Sequence, residues 1–185
     1  MIRDIQKVDD DIIEMKRLIK QKFISDTDIL EVLHSDVDID SPDEFLDHNI
    51  FGFIRIPQTQ DTVRNFICFT VDDIEAHQTN THMKVQQIQV VCICHLDDIK
   101  TEFGIDRHDL LGYLVRDVFN WSNDFGKQFK LIYNKESTID SDYYCRTLKF
   151  ERETTNNLKK AISNELFNIG NLMSNVHGYL ELGDQ

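Results

Sequence analysis

The chain has 185 residues, of which 41% are hydrophobic and two are proline, enough for one well-filled domain and unlike low-complexity disorder. No apolar run approaches the roughly twenty residues of a membrane span, and the opening MIRDIQKVDDDIIEMKRLIKQ is charged throughout, so a reducing cytoplasm is the expected folding compartment. A formal net charge of −13, without any basic stripe, argues against functions that grip phosphate backbones, since such binding draws its affinity from Lys and Arg.

Ile5, Val8, Ile12, Met15 and Ile19 recur at helical intervals, which predicts an amphipathic helix from Ile5 to about Phe23. SDTDILEVLHS predicts a short second helix capped at Ser25 or Asp26. In SPDEFLDH, Ser41 is placed to cap, Pro42 fits the first helical position, and Glu44 stands where it would close a capping box. The preceding DVDID resembles the opening of a calcium loop through Asp36, Asp38 and Asp40. Such a loop needs Gly and Glu where this chain has Ser41 and Asp47, so the capped helix start is the better reading.

Three strands are predicted next, FGFIRIP (51 to 57), NFICFTVDDI (65 to 74) and KVQQIQVVCICH (84 to 95), with connections suited to antiparallel neighbours and a long polar loop, EAHQTNTHM, between the last two. In the third strand Ile88, Val90, Cys92 and Cys94 share one face, while Gln87 and Gln89 lie on the other beside Val91 and Ile93. Residues two apart on a strand stand roughly 6.5–7 Å from each other, whereas two thiolates on one zinc need their sulfurs about 3.8 Å apart. His95 points to the opposite face from both cysteines. These are therefore read as small buried core residues, and Cys68, Cys92, Cys94 and Cys145, none in C-x-x-C spacing, as free thiols.

GIDRHDLLGYLVRDVFNW predicts a helix with Asp106 as cap and a broad apolar stripe from Leu110 to Phe119. QFKLIY and YYCRTLKFE predict a second hairpin across the loop NKESTIDSD, and Leu158, Ile162, Leu166, Ile169 and Met173 a last helix from about Thr155 to Asn175. The expected fold is α+β, an antiparallel sheet of about five strands with flanking helices. It forms a single domain over 1–185, with a helical N-terminal region (1–48), a sheet core with one helix (49–154) and a C-terminal helix and tail (155–185).

Catalytic motifs are lacking: there is no G-x-S-x-G, no H-E-x-x-H and no glycine-rich phosphate loop among seven glycines. DRHD places Asp106, Arg107, His108 and Asp109 together, but in a helix's first turn such residues cap and complement the dipole, and their side chains fan out. His77 and His82 flank a polar loop tip. Asp72, Asp73, Glu75, Asp97 and Asp98, near strand ends, are the only residues resembling a two-metal nuclease site, and they lack the basic surface its substrate needs. No catalytic residue, metal or cofactor is expected.

The strand ending in His95, the segment GIDRHDLLGYLVRDVFNWSNDFGKQFKLI and the closing CRTLKFE together resemble the tail-terminator and head-to-tail joining proteins of long-tailed bacteriophages, over roughly Ile29 to Thr155. The resemblance implies a small α+β structural protein that assembles with itself as a ring, a hexamer, capping the tail tube and meeting neck or connector proteins. It implies residence in the virion, in host cytoplasm during assembly, with DNA passing through without specific binding and no membrane contact. The helices at either end exceed the family's core, so a neighbouring neck protein, of head-completion, stopper or adaptor type, is the alternative. A host-side binding module and an acidic metal-dependent hydrolase or nuclease are readings of other classes. The expected interaction residues lie on the two polar loops: His77, Gln78, Asn80 and His82 on the first, Lys135 and Glu136 on the second.

After unfolding without reductant, thiol titration is expected to count all four cysteines as free, and elemental analysis to find no stoichiometric zinc. Zinc that disappears on substituting Cys92 and Cys94 would contradict the strand geometry.

Overall fold

The structure, a computed structural model, describes residues 10–55, 65–77, 80–139 and 141–155. Helix α1 (Asp11–Ile24) starts at Asp10, whose carboxylate accepts from the backbone N–H of Ile12 and Ile13, and it buries Met15, Ile19 and Phe23. Helix α2 (Thr27–Leu33) is capped in the same way by Asp26 rather than Ser25. The predicted start of the first helix at Ile5 and the predicted helix from Thr155 to Asn175 fall largely outside the described residues; Thr155 itself is strand.

SPDEFLDH departs from expectation. It forms a single 3-10 turn, Pro42–Phe45, in which Ser41 makes no side-chain cap bond, so the capping box does not form. Phe45 is fully buried, and its carbonyl accepts from His48 and Asn49, which folds the chain back towards the sheet before a second turn of helix can form. The acidic run before it is used in turns, Asp38 accepting from the Asp40 N–H at 3.0 Å and Asp36 lying 3.1 Å from His48 Nε2.

The five strands are β1 (Ile50–Phe51), β2 (Asn65–His77), β3 (Asn80–His95), β4 (Lys130–Thr138) and β5 (Tyr143–Thr155), in the order β1-β2-β3-β5-β4. The sheet is mixed rather than wholly antiparallel, because β1 is a two-residue strand that runs parallel to β2. The stretch between them, residues 52–64, is long enough for the crossover that parallel pairing requires. Both predicted loops shrink as well. His77 pairs opposite Asn80, so most of EAHQTNTHM is strand, and Asn134 to Thr138 belong to β4.

The face carrying Ile88, Val90, Cys92 and Cys94 packs against α1, α2 and helix α3 (Arg107–Phe119). Phe119 sits at the meeting of these layers, edge-on to Phe23 at 5.7 Å, stacked on Phe125 at 5.0 Å and 5.2 Å from Phe150. On the other face Val91 and Ile93 join Phe51, Phe66, Cys68, Tyr143 and Cys145 in a smaller cluster, while Gln87 and Gln89 are half-exposed. All four cysteines are free and buried, and burial pushes the thiols of Cys68, Cys92 and Cys94 up, away from reactivity.

At one end of the sheet a polar hub ties the layers together. Arg107 is buried, donating from Nε to the Asp98 carbonyl (2.7 Å), from Nη1 to the Val32 carbonyl (2.8 Å) and from Nη2 to the Asp98 carboxylate (3.1 Å). Asn65, at the start of β2, donates to the Leu33 carbonyl and to Asp98 Oδ2. These donors satisfy carbonyls that the end of α2 leaves without helical partners. His34 ends that helix in the left-handed conformation (φ 46) and brings its Nδ1 to 2.9 Å from Asp98. Burial raises the Asp98 carboxyl, but the hydrogen bonds from His34 and Asn65 and the charge of Arg107 outweigh it and hold the group below its ordinary 3.8.

A depressed carboxyl contributes stability that is present above its unfolded value and lost as pH falls through the folded one. Asp98→Asn is therefore expected to cost roughly 3 kcal/mol at neutral pH, as breaking a buried ion pair does, and to narrow the difference in urea midpoint between pH 7 and pH 3. A midpoint difference equal to that of the unsubstituted protein would refute this.

Candidate functional site

The DRHD segment starts α3; Asp106 and Arg107 turn to separate partners, while His108 and Asp109, expected to fan out, come within 3.9 Å of each other. Asp106 holds the N-cap position without making a cap bond; its carboxylate is turned instead to Lys100 Nζ at 2.5 Å. Arg107 enters the hub. His108 is buried beside Tyr144, and Asp109 faces β5, where Arg146 Nη1 lies 3.0 Å from its carboxylate and donates to its carbonyl at 3.2 Å. Arg146 Nε reaches Asn134 Oδ1 at 2.8 Å, and Glu136 stands opposite Arg146 in the β4–β5 pairing.

His108, Asp109 and Glu136 bring three ligand atoms within 4.8 Å of one another, a donor set that suits a divalent cation. Charge argues otherwise, because the Arg146 guanidinium already lies on Asp109 and a metal would have to displace it. His108 Nε2 is 3.9 Å from Asp109, too far for the hydrogen bond that would orient a general base, and Nδ1 is buried without a partner. The cluster fastens the start of α3 to the β4–β5 hairpin. Of the other acidic candidates, Asp73 and Asp98 stand at different ends of the sheet. Asp73 holds Lys84 at 2.7 Å beside the middle of β3, whereas Asp98 lies beyond the far end of that strand, in the hub.

The expected interaction residues separate into two distant groups. His77, Asn80 and His82 belong to the backbone of the β2–β3 hairpin, and Gln78 lies outside the described residues. Lys135 and Glu136 lie on β4 towards the opposite end of the sheet, exposed, on an edge strand nearly all of whose residues face water. Neither group is at the tip of a long loop.

Two apolar surfaces escaped the sequence reading. One is the turn between β3 and α3, where Phe103 is 69% exposed and Ile105, two residues on, is exposed as well. The other is a groove of about 510 Å³ between α1 and the segment after β1, lined by Ile13, Lys16, Arg17, Lys20, Leu46 and Phe53. TEFGID offered a signal for the first, a phenylalanine beside a glycine in an otherwise polar turn. The groove depends on how β1 crosses over, which periodicity does not reveal.

A methyl group on Gly112 would meet Arg146 Cδ at 2.4 Å and Nε at 2.9 Å, so the arginine lies across the helix only because residue 112 has no side chain. Gly112→Ala, which helix propensity alone would make favourable by about 1 kcal/mol, is expected to destabilise the protein, and to stabilise it when Arg146 is also Ala. Chemical denaturation of the four members of this double-mutant cycle tests the reversal of sign.

A family model, YomW, matches residues 11–152, and no curated protein matches the sequence. The matched span runs from α1 into β5, taking in every described helix and strand. The chain therefore belongs to the YomW family, a phage-derived family.

Proposed function

We propose that this chain is a structural virion protein of a tailed phage, which assembles with copies of itself as a ring, a hexamer, at the junction of tail tube and neck. The observation that carries the reading is the pair of exposed apolar surfaces, around Phe103 and around Phe53, on separate parts of one small sheet-based domain. Patches of this kind mark sites of protein contact, and two different ones on a subunit suit an assembly in which each copy meets two neighbours. The phage derivation of the family supports a place in the virion. Titratable residues that would serve an enzyme are instead bound up in structural ion pairs, Asp109 with Arg146 and Asp98 with Arg107. This supports a role without catalysis.

Tail tube and neck proteins are the proposed partners above and below the ring. A net charge of −13 is then useful, since a negative lumen repels phosphate and lets a duplex slide without adhering. A neighbouring neck protein of head-completion, stopper or adaptor type would present the same surfaces and remains the second reading within this class.

Electron microscopy of intact particles, with mass spectrometry of the purified virions, tests the proposal. The expected result is density for a closed ring of this chain at the upper end of the tail tube. Its absence from virions would overturn every structural version of the reading, and a ring within the neck would move it to the second.

A further inference from the structure

We infer that neighbouring copies join head to tail, the Phe103 turn of one inserting into the groove between α1 and Phe53 of the next; this rests on the ring reading and names its contact. The inserting element is pre-shaped. Thr101 Oγ1 donates to the Ile105 carbonyl at 2.6 Å, the Gly104 N–H donates to the Thr101 carbonyl at 3.2 Å, and Gly104 adopts φ 74, a conformation that favours glycine. The turn therefore holds Phe103 out in water without a loop that must be ordered on binding, which lowers the cost of association. Ile105, at 47% exposed, widens the apolar tip, and Glu102 beside it has no ionic partner among the described residues.

The groove complements this tip in shape and in charge. Ile13 and Phe53, 56% and 55% exposed, offer apolar walls, and its 510 Å³ falls within the range of about 300–1,000 Å³ typical of sites that enclose a small molecule, ample for an aromatic ring. Two of its cations are fixed, Lys16 donating to the Gly52 carbonyl at 2.8 Å and Lys20 lying 3.3 Å from Asp47, while Arg17 is exposed and unpaired among the described residues. On a chain of net charge −13, two copies repel wherever acidic surfaces meet. Asp43 and Asp47 also line the groove, but Lys16, Arg17 and Lys20 leave it net positive, so an apolar turn that carries Glu102 is tolerated there, with Glu102 set against Arg17. The turn and the groove are different surfaces of one subunit, so the contact is heterologous and propagates from copy to copy until it closes.

Two exposed positions separate the halves of the contact. Phe103→Asp removes the inserting tip and leaves the groove; Phe53→Asp spoils the groove and leaves the tip, and circular dichroism checks that both variants fold. By analytical ultracentrifugation the wild type is expected to associate at high concentration and each variant to remain monomeric. An equimolar mixture of the variants should give a one-to-one dimer and nothing larger, since one good tip and one good groove remain. Arg17→Glu should weaken association at low salt, and adding Glu102→Arg should restore it.

If the free wild type stays monomeric, incorporation into phage tails is the readout, and both single variants should be lost from particles. Either variant assembling as wild type does overturns the contact, as does a mixture that forms no dimer when the wild type associates, which would place Phe103 and Phe53 in a self-contact other than tip into groove. A wild-type ring that accepts both variants sinks the contact alone, whereas a wild-type chain missing from virions sinks the ring reading itself.

Discussion

The buried guanidinium of Arg107 is the constraint on which the arrangement of layers depends. Its donors reach the end of α2 and both backbone and side chain of Asp98, while Asp98 in turn takes Asn65 from the first residue of β2. Four segments far apart in sequence thus share one charge that is removed from water. A buried arginine without its carboxylate would be costly, and the carboxylate is held at the end of β3 by the Leu96–Asp98 turn. Apolar packing around Phe119 supplies most of the cohesion, but it is directionless; the hub sets where α2 stops and where α3 begins.

Much of this fold was legible because burial imposes a period. Ile88, Val90, Cys92 and Cys94 alternate with residues of the second face, and the structure puts the first set against the helices. Met15, Ile19 and Phe23 mark the buried side of α1 equally well. Caps were legible where one side chain could serve, as with Asp26, and misread where a tertiary partner competed. Asp106 forms a bond with Lys100 in place of the helix N-terminus, and SPDEFLDH turns back because Phe45 enters the core. Tertiary contacts of this kind leave no periodic trace in sequence.

The candidate site was less legible for a related reason. Polar loops were expected to carry contacts, yet residues of EAHQTNTHM and NKESTIDSD became strand, because cross-strand pairing continued past the point where the apolar alternation ended. Backbone hydrogen bonds do not need apolar side chains to extend a hairpin. What the chain exposes besides, at Phe103 and Phe53, is recognisable only when one knows which apolar residues failed to reach a core.

Strand β4 has a consequence for the chain when it is free in solution. Apart from Leu131, which packs against the main core, its side chains face water, so little apolar burial holds it, and its attachment rests chiefly on the ladder to β5. Segments with so few buried apolar contacts belong to the less stable part of a fold, where local opening costs less than global unfolding. Among the described residues its outer edge is unpaired, a template on which another chain's strand can register. Lys130 and Lys135 along that edge act as gatekeepers, since a second copy arriving in matched register would bring like charges together. Solubility of the chain at high concentration thus depends in part on two lysines that touch no core.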